Sequence, residues 1–89
     1  MDALEAYKTA DLELNKVYKL LVKELDDDAK TLFKKAQLDW IKYRDSHCAF
    51  EGQIYEGGSA QPQAISSCLE IVTKNRTEEL KISLADRKM

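Results

Sequence analysis

Eighty-nine residues, 44 % apolar and 34 % charged with a net charge of −2, make one small domain, neither disordered nor carrying the basic footprint of a nucleic-acid binder. Three glycines and one proline are too few for a many-turned β-sandwich or barrel, and no apolar run approaches the roughly 18 residues of a membrane span. A core of this size rarely supplies more than about 3–5 kcal/mol of net stability, so a staple is expected.

The first predicted helix covers residues 2–25. Leu4, Tyr7, Leu14, Val17, Tyr18, Leu21 and Leu25 recur at the three-four spacing of an amphipathic helix. Asp2 and Glu5 form a capping-box-like pair at its start. Asp26-Asp27-Asp28 closes this helix and opens the next, where carboxylates suit the dipole. The run lacks the glycine and terminal glutamate of a calcium loop, so capping is expected and no metal site.

The second helix covers residues 29–51, with Phe33, Ala36, Gln37, Trp40, Arg44 and Cys48 on one face. Residues 52–61 form the one long loop, broken by Gly57-Gly58. Pro62 suits the first turn of a third helix over residues 62–85, whose face carries Ile65, Cys68, Leu69, Val72, Arg76, Leu80 and Leu84. The expected architecture is all-α: a single domain, residues 1–89, folded as an antiparallel three-helix bundle.

Two cysteines, Cys48 and Cys68, are an even number in a chain that needs a staple, which makes a disulfide the natural reading. Two reduced, buried thiols in a cytosolic protein are the alternative. No charged n-region followed by an apolar h-region is legible, and Met1-Asp2-Ala3 is compatible with a start placed after a removed signal.

Register gives a further expectation. With the first turn centred near Asp27 and Asp28, Asp11 and Arg44 fall at one level of two antiparallel helices, each on an otherwise apolar face. Buried opposite charges are costly unless paired, so the two are expected to pair. A Cys48–Cys68 bridge then sets Arg76 level with Trp40, and Trp40 level with Asn15. This predicts a second polar layer of Asn15, Trp40 and Arg76, joined by Gln37. These residues read either as a ligand site or as an internal network that fixes helix register; the second needs fewer assumptions.

Little catalytic chemistry is visible. His47, the single histidine, adjoins Cys48 but points about 100° away on a helix and is expected to be exposed. No four-ligand zinc spacing and no phosphate-binding glycine loop occurs, and Asn75-Arg76-Thr77 is a mid-helix chance sequon. A slim bundle offers little cleft for a polysaccharide. Neither metal nor cofactor is called for.

Charge is unevenly spread. Residues 29–44 net +4, whereas residues 45–73 hold Asp45, Glu51, Glu56 and Glu70 and no lysine or arginine. An acidic loop bearing an aromatic suits a basic partner, which makes Glu51, Tyr55, Glu56, Gly57 and Gly58 the candidate contact residues.

Three strings carry a resemblance. They are Tyr7-Lys8-Thr9-Ala10-Asp11 with Leu14-Asn15 and Tyr18; Gln37, Trp40, Arg44-Asp45 and Cys48; and Cys68, Thr73, Arg76 and Leu80. In order and spacing, from about Tyr7 to Leu84, the chain resembles the LprI-type lysozyme-inhibitor domain, a small exported helical domain of bacteria. The resemblance implies a periplasmic or secreted location, which favours the disulfide. It also implies no catalysis and a protein partner, a basic lysozyme or related cell-wall hydrolase. A structural or accessory envelope module without inhibitory activity is the alternative, and an exposed apolar stripe on a bundle face would favour it.

Overall fold

Two aspartates start two of the three helices. In the computed structural model, which describes residues 1–88, Asp2 Oδ1 accepts the Glu5 N–H at 2.8 Å and opens α1 (Ala3–Val22). Asp26 Oδ1 accepts the Ala29 N–H at 2.8 Å and opens α2 (Asp27–Gly52). Each carboxylate satisfies a backbone donor that the helix leaves orphaned, worth about 1 kcal/mol. Helix α3 (Gln61–Arg87) has no side-chain cap and carries Pro62 in its first turn, which the fixed φ of proline suits.

The first helix ends at Val22, before its apolar periodicity runs out. The Glu24 and Leu25 N–H groups reach back only three residues, to the Leu21 and Val22 carbonyls. This tightening reverses the chain, folds Leu25 into the core and leaves Asp26 extended as the next cap. The expected loop at 52–61 is mostly turned. Gln53–Tyr55 is a 3₁₀ turn, and Glu56, Gly58 and Gln61 each donate to the carbonyl three residues back. Gly57 has φ 78°, a conformation that L side chains avoid, and it carries the reversal into α3.

Helices α1 and α3 run parallel, with α2 antiparallel to both. Lys81 on α3 reaches Glu13 on α1 at 3.9 Å, Arg76 on α3 meets Gln37 on α2, and Tyr18 on α1 stacks on Phe33 of α2. The bundle is all-helical among the described residues and carries the Cys48–Cys68 disulfide. Helix α1 packs most extensively on α3, whereas α1 and α2 meet mainly through long side chains. Ala10 and Thr77 are small and buried, which lets α1 and α3 approach closely.

The molecule is 47 Å long but 14 Å across its thinnest dimension. Its radius of gyration is 14.9 Å, against about 12 Å for a compact domain of this length. A bundle this thin hides little. The core is Leu14, Val17, Leu21, Leu25 and Leu80, flanked by Tyr18, Ala29, Phe33, Trp40 and Leu84.

Candidate functional site

Cys48 of α2 and Cys68 of α3 are bonded, with Cα atoms 5.5 Å apart, and Cys48 is wholly buried. One turn beyond Cys48, Gly52 lies so close to α3 that a Cβ there would stand 2.5 Å from Ile65 Cγ1. The cystine and this glycine contact hold the end of α2 against the start of α3. The residues around them, from Tyr43 to Tyr55, sit on a rigid base.

The predicted polar residues come together, but differently from the register argument. Asp11, Asn15, Gln37, Trp40 and Arg44 border one shallow groove of about 260 Å³ between α1 and α2. The expected Asp11–Arg44 ion pair is not made. Arg44, its side chain 12 % exposed, donates from Nε to Asp45 Oδ1 at 2.9 Å, the residue next in chain. Its guanidinium lies over the Trp40 and Tyr7 rings, 5.1 and 5.7 Å from their centroids. The Trp40 and Tyr7 rings thus share the charge with the Asp45 carboxylate, a cation–π contact standing where Asp11 was expected. Asp11 is only half-buried and accepts from Asn15 Nδ2 at 3.5 Å, along its own helix.

The Asn15–Trp40–Arg76 layer is likewise corrected. Arg76 donates from Nε to Gln37 Oε1 at 3.1 Å, one turn before Trp40. Indole and guanidinium both only donate, so neither satisfies the other, whereas the Gln37 amide oxygen accepts. Gln37 is buried, Asn15 exposed. The network therefore splits into a part-buried Gln37–Arg76 bond and a surface Asp11–Asn15 contact.

The acidic stretch is less uniform than its sequence suggests. Asp45 is held by Arg44, and Glu70 by Lys74 at 2.7 Å. Glu51 and Glu56 remain, with no cation within salt-bridge reach among the described residues. Gly57 and Gly58 form the exposed turn beyond them, and Tyr55 is 45 % exposed. Elsewhere, Lys35 bonds Asp39 and holds that exposed carboxyl below the usual carboxylate range. No group of three metal-ligating side chains gathers among the described residues, and none of their helices is long and apolar enough to cross a membrane.

His47 is not simply exposed: its ring is half-buried and stacks on Tyr43, 5.3 Å away with planes 14° apart, and lies 6.4 Å from Phe50. Tyr43, His47 and Phe50 recur at the four- and three-residue steps of one helix face, and Ile54 follows after four more. This spacing is as helical as that of the neighbouring face of Trp40, Arg44 and Cys48, so periodicity alone does not tell which of the two faces inward.

Comparison with known proteins agrees with the strings that gave the resemblance. The family profile described as "Lysozyme inhibitor LprI" matches residues 2–80. An uncharacterized protein of Rhizobium meliloti (strain 1021) is 44 % identical over 88 residues, a match covering 84 % of this chain. The chain spans 63 % of that relative's length, under two thirds of it. No solved structure gives a significant match. The order and spacing of the matched residues over nearly the whole chain place this helical, disulfide-bonded domain in the LprI lysozyme-inhibitor family.

Proposed function

We propose that this domain is an exported binding protein that inhibits a lysozyme or related peptidoglycan hydrolase, acting by occlusion and without catalysis of its own. The observation that carries the reading is the disulfide-anchored end of the bundle, where Glu51 and Glu56 stand free of internal partners beside Tyr55. C-type lysozymes are strongly basic, and their clefts work through carboxylates. Free glutamates on a rigid support draw such an enzyme in and raise its association rate. The cystine supports a periplasmic or secreted location, because disulfides persist in oxidising compartments. Family membership points to the same class of partner.

The test is a turbidity assay of the oxidised domain against a panel of cell-wall hydrolases. Inhibition should weaken as salt rises, because exposed charges are screened beyond about 8 Å at physiological ionic strength. Replacing Glu51 and Glu56 with Lys should slow association and leave the fold intact. Full hydrolase activity at high micromolar domain, across the panel, would overturn the reading.

A second reading has its own support. Exposed apolar side chains gather on α2 and the following turn, among them Phe50 and Ile54. They suit an accessory envelope module that docks on a larger protein and inhibits nothing. Binding to a cell-wall hydrolase with no loss of its activity would select this reading.

A further inference from the structure

We propose that Tyr43, His47, Phe50 and Ile54 form the apolar anchor of the partner-binding face, and that its occupant is a basic protein. The inference rests on the reading that the domain binds a basic cell-wall hydrolase, and it moves the anchor from Tyr55 and the glycine turn onto α2.

Isolated exposed apolar residues are ordinary on a protein surface; contiguous ones are not. Here they are contiguous. Tyr43 is 56 % exposed, Phe50 71 % and Ile54 76 %, and the half-buried His47 ring stacks on Tyr43 and lies tilted beside Phe50. Across the shallow groove beside the stripe, α3 contributes Ile71, itself 59 % exposed. The rings already lean on one another in the free domain, so little side-chain freedom is left to lose when a partner arrives. Behind them, Cys48 is buried in its bond to Cys68, and Gly52 is pressed on Ile65. That backing stops the end of α2 from turning its apolar face inward.

Charge selects the occupant. Between Arg44 and Lys74 the chain holds no lysine or arginine, and those two bases are spent on Asp45 and Glu70. The groups left uncompensated at the anchor's edge are Glu51 and Glu56. A second copy of this chain would bring like charges together, and an anionic membrane or nucleic acid would meet the same repulsion. A protein presenting an apolar site ringed by lysine and arginine meets both the rings and the carboxylates. Lys42, the cation beside Tyr43, lies near Asp39 and helps to lower its pKa.

The two parts of the face should separate kinetically. Desolvated apolar anchors govern dissociation, whereas peripheral charges govern association. The experiment is surface-based binding kinetics of the oxidised domain with a C-type lysozyme and the other hydrolases of the panel. The variants are Phe50→Ser/Ile54→Ser and Glu51→Lys/Glu56→Lys, with circular dichroism melts as the control for folding. Both altered pairs are exposed, so the melts should stay close to wild type. Phe50→Ser/Ile54→Ser should dissociate about tenfold faster or more, with association and its salt dependence unchanged. Glu51→Lys/Glu56→Lys should associate more slowly and lose most of the salt dependence. A folded Phe50→Ser/Ile54→Ser that dissociates like wild type overturns the anchor and leaves the inhibitor reading standing. A wild-type domain that binds no basic hydrolase overturns both. Sedimentation covers the other occupant: a wild-type dimer that Phe50→Ser/Ile54→Ser converts to monomer gives the face to a second copy and overturns the proposal.

Discussion

Where α1 turns into α2, Leu14, Val17, Leu21 and Leu25 close against Leu80 of α3, with Phe33 and Leu84 packed around them. Toward the turn from α2 into α3, Cys48 is the wholly buried side chain, with Thr73 buried farther along α3. One end is held by the transfer of apolar surface out of water, at about 1.5–3 kcal/mol for each large side chain. The other is held by a covalent link, whose closure of a 20-residue separation contributes on the order of 3 kcal/mol in the chain-entropy model. Both ends leave apolar side chains outside, Leu32 and Ile82 toward the first and Phe50 and Ile54 toward the second. What differs is the support beneath them, a covalent link at one end and packed leucines at the other.

The largest effect should come from the apolar end. Leu21, 2 % exposed, lies in the core cluster, and Leu21→Ala should lose about 3–4 kcal/mol through transfer and cavity terms. Denaturant melts of the oxidised protein measure it. A loss under about 1 kcal/mol would mean that the cluster is not the main support of that end.

Removal of the staple comes next. Cys48→Ser/Cys68→Ser should cost about 3 kcal/mol. Amide exchange sharpens the comparison: protection should fall first around residues 48–72 and persist along the Leu14–Leu25 side. A uniform loss would show that the two ends are one cooperative unit rather than two differently supported ones.

The glycine contact tests how tightly that end is built. Alanine normally stabilises a helix by about 1 kcal/mol relative to glycine. At Gly52 the new Cβ would crowd Ile65 Cγ1 and Cδ1, and overpacking of this kind costs about 1–3 kcal/mol. Gly52→Ala should therefore lower the melting temperature, and adding Ile65→Ala should relieve the crowding. A more stable Gly52→Ala would mean that α2 and α3 do not meet closely at Gly52 and Ile65.

The smallest effect has the opposite sign. Thr73 is wholly buried and its Oγ1 has no hydrogen-bond partner, whereas Thr77 Oγ1 donates to the Thr73 carbonyl at 3.0 Å. Thr73→Val keeps the shape and removes a stranded polar atom, for a gain of about 1 kcal/mol. Thr77→Val, which breaks a bond that is made, should show no such gain. Equal responses at the two positions would remove the distinction.

What the sequence determined by itself is what depends on neighbours a few residues away. Helical periodicity, the Asp2 and Asp26 caps, the proline at the start of α3 and the breaking glycine at position 57 are local. They depend on backbone donors and φ angles within one turn, so they can be read along the chain. The family strings were legible for the same reason. Tertiary structure decided which group answers which. Arg44 was expected to meet Asp11, but it lies over the Tyr7 ring of α1 and the Trp40 ring of its own helix and pairs with its neighbour Asp45 instead. Arg76 chose Gln37 because that amide oxygen can accept, a matter of which atoms arrive within 3.1 Å. The pairing of Asp45 with Arg44 and of Glu70 with Lys74, by contrast, is local, between chain neighbours and across one helical turn. The stripe of Tyr43, His47 and Phe50 obeys a helical spacing like any buried face. Periodicity marks a face but not its neighbour, and the packing of α2 on α3 through Cys48 and Gln37 is what left this one to solvent.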